Sequence, residues 1–310
     1  MSWDLYEDGI THSMMDTFLT CPHQCYLQYI EGWRSNKFSY ALEFGDLFHT
    51  MLEKVSEEKT PEAVINEWSH KHKKQSYYSD QINEIATCMD ICLATFNKYQ
   101  PYWAEQDKEI EWVSKEHTFT VLSPVGNIRM RGKIDGVFNL GDSLWLFETK
   151  TKGAFNGLDI QTQLYRDSQT LFYSYAAERI YERPVQGILY NVIRRSLLKQ
   201  GKTETGRKFL ERITTDINKR PSHYFHRYRV KLNKEDLKRF REQQLYNIIK
   251  KIQMWYEGFK GKENPFRNPH HYVNTSALNG RWGKSYLFNA ICKDDYRGLK
   301  QVEEPHGELV

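Results

Sequence analysis

No apolar run in this chain approaches the roughly 18 to 20 residues that a membrane-spanning helix requires, so a bilayer span is not expected. The sequence opens on M-S-W-D-L-Y-E-D-G, without the charged leader and apolar core of a secretory signal, and a cytoplasmic location is the expectation. Cysteine is sparse, and Cys21, Cys25, Cys88, Cys92 and Cys292 are an odd, widely spread set. Disulfide scaffolding is therefore not expected in that compartment. The two close pairs have i, i+4 spacing rather than the C-x-x-C of common zinc sites, so Cys88 and Cys92 read as buried apolar side chains. There is no internal repeat and no low-complexity tract. A complete P-loop is missing, because G-R-W-G-K-S lacks the full spacing, and neither a nucleophile elbow nor a Ser-His-Asp order is present. The chain does not power itself as a nucleotide-driven motor would.

Of 310 residues, 44 are Lys or Arg and 40 are Asp or Glu, a formal charge of +4, and 14% are aromatic, with 20 Tyr. That length supports one large domain or two small ones with an ample core. The composition fits a soluble globular protein with a polar, aromatic-rich working surface.

The most informative stretch runs from Ile128 to Lys150. The segments I-R-M-R-G-K-I-D-G-V-F and L-W-L-F-E-T-K flank N-L-G-D-S, which predicts a β-hairpin. With a four-residue loop from Leu140 to Ser143, Asp135 falls across from Glu148, and two carboxylates facing each other repel. Glu148 and Lys150 leave the same face of one strand. Leu144, Trp145, Leu146 and Phe147 make that strand almost continuously apolar, as expected of a central strand covered on both faces. Two carboxylates beside an ammonium at its end point to a bound cation, and hard oxygen ligands suit Mg²⁺ or Mn²⁺. The residues therefore suggest a metal-dependent hydrolytic centre.

Earlier in the chain, Ser13 and Asp16 mark a helix N-cap, with Met14, Phe18 and Leu19 as an apolar stripe that Pro22 interrupts. A second short helix carries Tyr26, Leu27 and Ile30 inward. Leu42, Leu47, Phe48, Met51, Leu52 and Val55 then recur at helical spacing. Gly45, His49 and Glu53 share one face of that helix. The glycine suggests close backbone approach, and Glu53 is placed to orient the His49 imidazole. Helices follow from about Pro61 to Tyr102, then a strand from E-I-E-W-V and the turn S-P-V-G-N. After Lys150 a flexible segment leads into one long helix from Leu158 through Tyr181, which stacks Gln169 above Tyr173. The run V-Q-G-I-L-Y-N-V-I reads as a buried strand, so a crossover in a mixed sheet is expected. H-Y-F-H-R-Y-R-V-K-L reads as an edge strand, and residues 234–256 as a basic amphipathic helix. Two readings of this basic region stand side by side: a solvated face, or a surface where Tyr224, Tyr228 and Trp255 stack on single strands.

Taken together, five elements in order resemble the PD-(D/E)XK nuclease superfamily, in particular its RecB-like exonuclease branch with phage and CRISPR-associated members. They are S-M-M-D-T-F-L-T-C-P with Y-L-Q-Y-I-E-G-W, G-D-L-F-H-T-M-L-E, G-K-I-D-G-V-F, F-E-T-K-T-K and Q-T-L-F-Y. The resemblance implies an α/β (α+β) fold, a restriction-endonuclease-like central mixed β-sheet flanked by helices with a helical N-terminal portion. It divides a single nuclease domain into a helical part with the His motif (1–105), a core (106–232) and a basic helix with tail (233–310). It implies that His49, Asp135, Glu148 and the carbonyl of Thr149 bind Mg²⁺ or Mn²⁺. Lys150 would position the attacking water and offset phosphorane charge, while Gln169 and Tyr173 hold phosphate or the lysine. The implied function is DNA phosphodiester hydrolysis in recombination, repair or phage DNA metabolism, on single strands or duplex ends, with a helicase or recombination partner. The alternatives are a catalytically silent DNA-binding module and an RNA-processing nuclease.

The sequence departs from many such relatives, which hold an iron–sulfur cluster with one N-terminal and three C-terminal cysteines. Only Cys292 stands in the C-terminal region, so no cluster is expected. A mixed site of Cys21 or Cys25 with Cys292 and His271 stays open, with Tyr272 and Ser285 nearby. Otherwise aromatic packing of Phe266, Tyr272, Trp282 and Phe288 is expected to hold the tail.

Overall fold

The computed structural model describes residues 3–35, 38–73, 79–165, 167–260, 268–274 and 296–302, and of residues 71–73, 79–80, 157–159 and 161 the backbone alone. A short strand β1 (Ile10–Thr11) leads into α1 (His12–Thr20). Its cap is Thr11, whose hydroxyl accepts from the Met14 N–H, rather than Ser13 or Asp16. Thr11 still has extended dihedrals, so its side chain is free to meet the first unpaired amides. Met14, Met15 and Phe18 form the buried stripe, and Leu19 points outward. Pro22 does break the helix, opening α2 (Pro22–Cys25), which continues as a π turn, Tyr26–Ile30. Then follow β2 (Trp33–Ser35), α3 (Tyr40–Ser56), α4 (Pro61–Lys73) and α5 (Ser79–Asp107). Leu42, assigned by spacing to the buried face of α3, is 73% exposed.

The sheet is built from β3 (Glu111–Leu122), β4 (Arg129–Leu140), β5 (Ser143–Lys152), β6 (Val185–Arg194) and β7 (Phe225–Lys231). It is mixed, as expected: β4 is antiparallel to β3 and β5, β6 runs parallel to β5, and β7 closes the edge antiparallel to β6. The crossover from β5 to β6 is two helices, α6 (Gly157–Tyr165) and α7 (Ser168–Tyr181), not one. Asp167 breaks the run by capping α7, its carboxylate accepting from the Gln169 N–H at 3.1 Å. Beyond β6 come α8 (Gly206–Lys219) and α9 (Pro221–Tyr224). After β7, α10 (Lys234–Arg239), a π stretch (Phe240–Leu245) and α11 (Tyr246–Phe259) follow, and β8 (Leu299–Gln301) pairs with β2. Among the described residues no helix is long and apolar enough to cross a membrane.

Period-two alternation divides the core. Leu144 and Leu146 of β5, with Ile188, Tyr190 and Val192 of β6, pack toward α1, α7 and α11. Trp145 and Phe147 face the opposite side, where the separate α3–α5–α8 cluster, Ile193 and Phe225 lie. Cys88 and Cys92 are fully buried there, as free apolar thiols.

The aromatic reading of the last third needs correction. Trp255 and Tyr224 are buried core residues, so neither ring offers a face for base stacking. Tyr272 is exposed, and polar contacts hold its segment. Asn268 Nδ2 donates to the Trp255 carbonyl at 2.6 Å, and Asn274 Nδ2 to the Thr20 carbonyl at 2.8 Å. His271 bonds His23 across 2.8 Å and accepts from the Trp255 indole at 3.3 Å. Both ring nitrogens of His271 are thus engaged, which argues against the mixed Cys–His site. Cys292, Ser285, Phe266, Trp282 and Phe288 lie outside the described residues.

Gly187 in β6 is required by close approach, since a Cβ there would stand 2.4 Å from the Trp145 ring and 2.6 Å from the Val230 carbonyl oxygen. Gly187→Ala is expected to cost about 1–3 kcal/mol through overpacking, read as a lower urea midpoint with an unchanged slope.

Candidate active site

One edge of β4 serves two partners. β1 pairs in parallel with Met130 and Arg131, and β5 pairs with Gly136 through Leu140. Between them, Gly132 to Asp135 have no ladder partner on that edge, and a fork opens. The hairpin turn is tighter than expected, because Leu140 pairs with Ser143 and only Gly141 and Asp142 form the loop, Gly141 with φ +58°. The register is nevertheless the expected one, with Asp135 next in line toward Glu148. The ladder ends there because Asp135 Oδ2 accepts the Thr149 N–H at 2.7 Å. A side-chain carboxylate thereby takes over an amide that a paired strand would otherwise satisfy.

Helix α3 lies over the fork on the face it was expected to use. A Cβ on Gly45 would lie 3.0 Å from Thr151 Oγ1, so the helix backbone does approach β5 closely. One turn on, His49 Nδ1 stands 3.5 Å from Asp135 Oδ2. Glu53, one turn further, does not orient His49. Its carboxylate meets Lys133 at 3.0 Å and Lys54 at 3.4 Å. Lys133 also reaches Glu116 at 3.0 Å, tying α3 to β4 and β3.

On the other face of β5, Lys150 Nζ lies 2.9 Å from Glu148 Oε1, donates to Gln169 Oε1 at 2.6 Å and stands 3.3 Å from Asp167. Gln169 Nε2 in turn donates to the Tyr173 hydroxyl at 3.1 Å. Asp135, Glu148, Thr149, Lys150, Gln169, Tyr173 and His49 are thus brought to one place. Sequence reasoning missed two members of the group. Asp167 was absorbed into a continuous helix, although an Asp-Ser pair two residues before Gln169 is an N-cap signal. Glu116 is partly buried on β3 beside Asp135, and desolvation followed by the Asp135 charge raises it to about 7.

Burial works against every charge here, and the neighbours decide the outcome. It would raise Asp135, but His49 and the Thr149 N–H hold that carboxyl below its ordinary value. Glu148 goes up, by burial and by Asp135, with Lys150 opposing. Lys150 is raised despite burial, because Glu148 and Asp167 favour its charged form. His49 rises to about 9 against burial, through Asp135 and Glu148.

The donor set of two carboxylates, an imidazole and a backbone carbonyl suits a hard divalent cation. The carboxylates are turned to protein donors, and no three of His, Cys, Asp and Glu form a closed ligand set among the described residues. A cavity of about 560 Å³ reaches the site past His12, Arg34, Arg131, Lys133, His49 and Tyr173. A second, of about 290 Å³, meets Asp135 and Thr149 from the side of Trp112, Phe147 and Glu116.

With His49 and Glu148 as ligands, cation binding would displace the protons they hold, and Mn²⁺ affinity measured calorimetrically is then expected to rise between pH 6.5 and 9 with proton release. A pH-independent affinity would contradict this ligand set. Stability of the metal-free protein should fall over the same range. The folded His49 pKa lies above its unfolded value, so its contribution is complete below about 6.5 and lost as pH passes about 9.

No curated protein significantly matches the chain. The family model of the PD-(D/E)XK nuclease superfamily matches residues 10–267, from β1 at the fork to beyond α11. Proteins of this superfamily generally use divalent metal ions, in keeping with the donors gathered at the fork. Because that match takes in the whole mixed sheet and every residue of the site, the chain belongs to the PD-(D/E)XK nuclease superfamily.

Proposed function

We propose that this protein is a Mg²⁺- or Mn²⁺-dependent deoxyribonuclease of the RecB-like exonuclease branch, acting on DNA ends in recombination, repair or phage DNA metabolism. The observation that carries the reading is the largely covered Lys150 ammonium, held by Glu148, Gln169 and Asp167 beside the Asp135 fork. His49, Asp135, Glu148 and the carbonyl of Thr149 would hold the metal. When bound, the ion supplies positive charge that acidifies water and offsets charge on a non-bridging phosphate oxygen.

The protein's own groups do the rest. Lys150 places a fixed positive charge where negative charge grows on phosphorus, and its burial keeps that charge from being screened by water. Gln169 accepts from Lys150 and donates to Tyr173, which fixes the ammonium in direction. Asp167 offsets the charge of Lys150 and, by capping α7, presents Gln169. In the reaction an oxygen of water bonds to phosphorus as the water gives up one proton, the bond to the leaving oxygen breaks, and the leaving oxygen takes up a proton, so the elements of water are divided between the two products.

Asp135→Asn and Glu148→Gln are each expected to abolish divalent-dependent cleavage of end-labelled DNA, with the fold retained by circular dichroism. Full activity in Glu148→Gln would refute the assignment. Lys150→Ala should lower kcat by about 10²-fold or more while DNA affinity stays nearly constant. An equal loss of affinity would make Lys150 a ground-state phosphate clamp. Parallel single-stranded, duplex and RNA substrates, each labelled at either end, test substrate and polarity.

A further inference from the structure

Strand alternation carries the row of charged side chains past the reaction centre. Glu148, Lys150 and Lys152 occupy successive alternate positions on one face of β5. The first two are committed to each other, and Lys150 also to Gln169 and Asp167. Lys152 is different. It is half-buried, and among the described residues it makes no side-chain hydrogen bond and no ion pair. The charges that bear on it are Lys150 and Arg195, which repel it, and Asp167, whose carboxylate already stands 3.3 Å from Lys150.

Its surroundings are fixed. The Arg195 N–H donates to the Lys152 carbonyl at 2.7 Å, and the parallel register sets Lys152 beside Arg194. Arg194 is spent on structure: its guanidinium lies 4.0 Å from the Phe155 ring centre and donates to the carbonyls of Phe155 and His223, both at 3.0 Å. It thereby pins the segment that leaves β5, and among the described residues Lys152 remains an ammonium with no anion in direct contact. Like charges in a half-buried site oppose one another, and an incoming anion removes that opposition. The position also fits, because Lys152 ends β5 at the carboxyl end of a parallel strand pair joined by a helical crossover, where open sheets receive ligands.

We propose that Lys152 is a binding site for the phosphodiester next to the reacting one on the same polynucleotide strand. The step from Lys150 to Lys152 is roughly 6.6 Å for two strand residues, comparable with the separation of adjacent phosphates along one strand. Lys150 meets the reacting phosphate while Lys152 meets its neighbour, so the strand runs along β5 toward its carboxyl end. This inference rests on the nuclease reading of the Lys150 site.

The test reads binding rather than turnover. Anisotropy of a labelled single-stranded oligonucleotide, measured in EDTA across a salt series, is expected to show several-fold weaker binding for Lys152→Gln. The log–log salt slope should be shallower by about 0.7, one phosphate contact on a single strand. Lys152→Arg should recover both. One uncharged methylphosphonate linkage, moved stepwise along the strand, should weaken the wild type at one position by the factor that Lys152→Gln loses. The variant should lose nothing further at that linkage. An unchanged slope in Lys152→Gln, or losses that multiply at every linkage, would overturn the proposal. Failure of the nuclease reading would look different: wild-type protein that binds the oligonucleotide with a Lys152-dependent slope yet cuts nothing with Mg²⁺ or Mn²⁺.

Discussion

The contact on which the site depends is a single charge-assisted hydrogen bond, from the Thr149 N–H to Asp135 Oδ2 at 2.7 Å. It ends the β4–β5 ladder without leaving a buried amide unsatisfied, and so lets the two strands part inside a covered sheet. The gap it opens admits β1 on one side and the His49 face of α3 above. Were the ladder to continue, β4 and β5 would close over the place where His49, Asp135 and Glu148 meet.

The fork sets the electrostatics. Little of the Asp135 or Glu148 side chain meets water, and a carboxylate so placed is stable only beside a cation or a donor. Asp135 obtains His49 and an amide. Glu148 obtains Lys150, which in turn requires Asp167 and Gln169 to face it. The ion bridge from Glu53 through Lys133 to Glu116 fastens α3 to the sheet one turn along from His49, so helix and strand meet at two rungs rather than one. Removing Lys150, for instance, takes from the buried Glu148 the cation 2.9 Å away.

Much of this was legible in residue order. The apolar run before Glu148, the alternation that puts Glu148 and Lys150 on one face, and the i, i+4, i+8 row of Gly45, His49 and Glu53 are local patterns with fixed geometric meaning, and the structure keeps all three. The readings that failed concern partners distant in sequence. Glu53 was matched to its helix neighbour His49, but the nearer cation is Lys133, 80 residues away. Trp255 and Tyr224 looked like stacking surfaces because an aromatic among basic residues has the same local pattern whether its ring faces water or core.

By itself, the sequence determined the strand and helix periods, the order strand, crossover, strand that makes the sheet mixed, and the set of side chains able to meet at the end of β5. Those follow from backbone geometry that each residue carries with it. Tertiary structure alone decided that Glu116 joins the group, and that Lys150 is surrounded while, among the described residues, Lys152 has no anion in direct contact. These outcomes depend on which charges share a water-poor space, and burial multiplies the energy of each such pairing beyond anything local propensity can set.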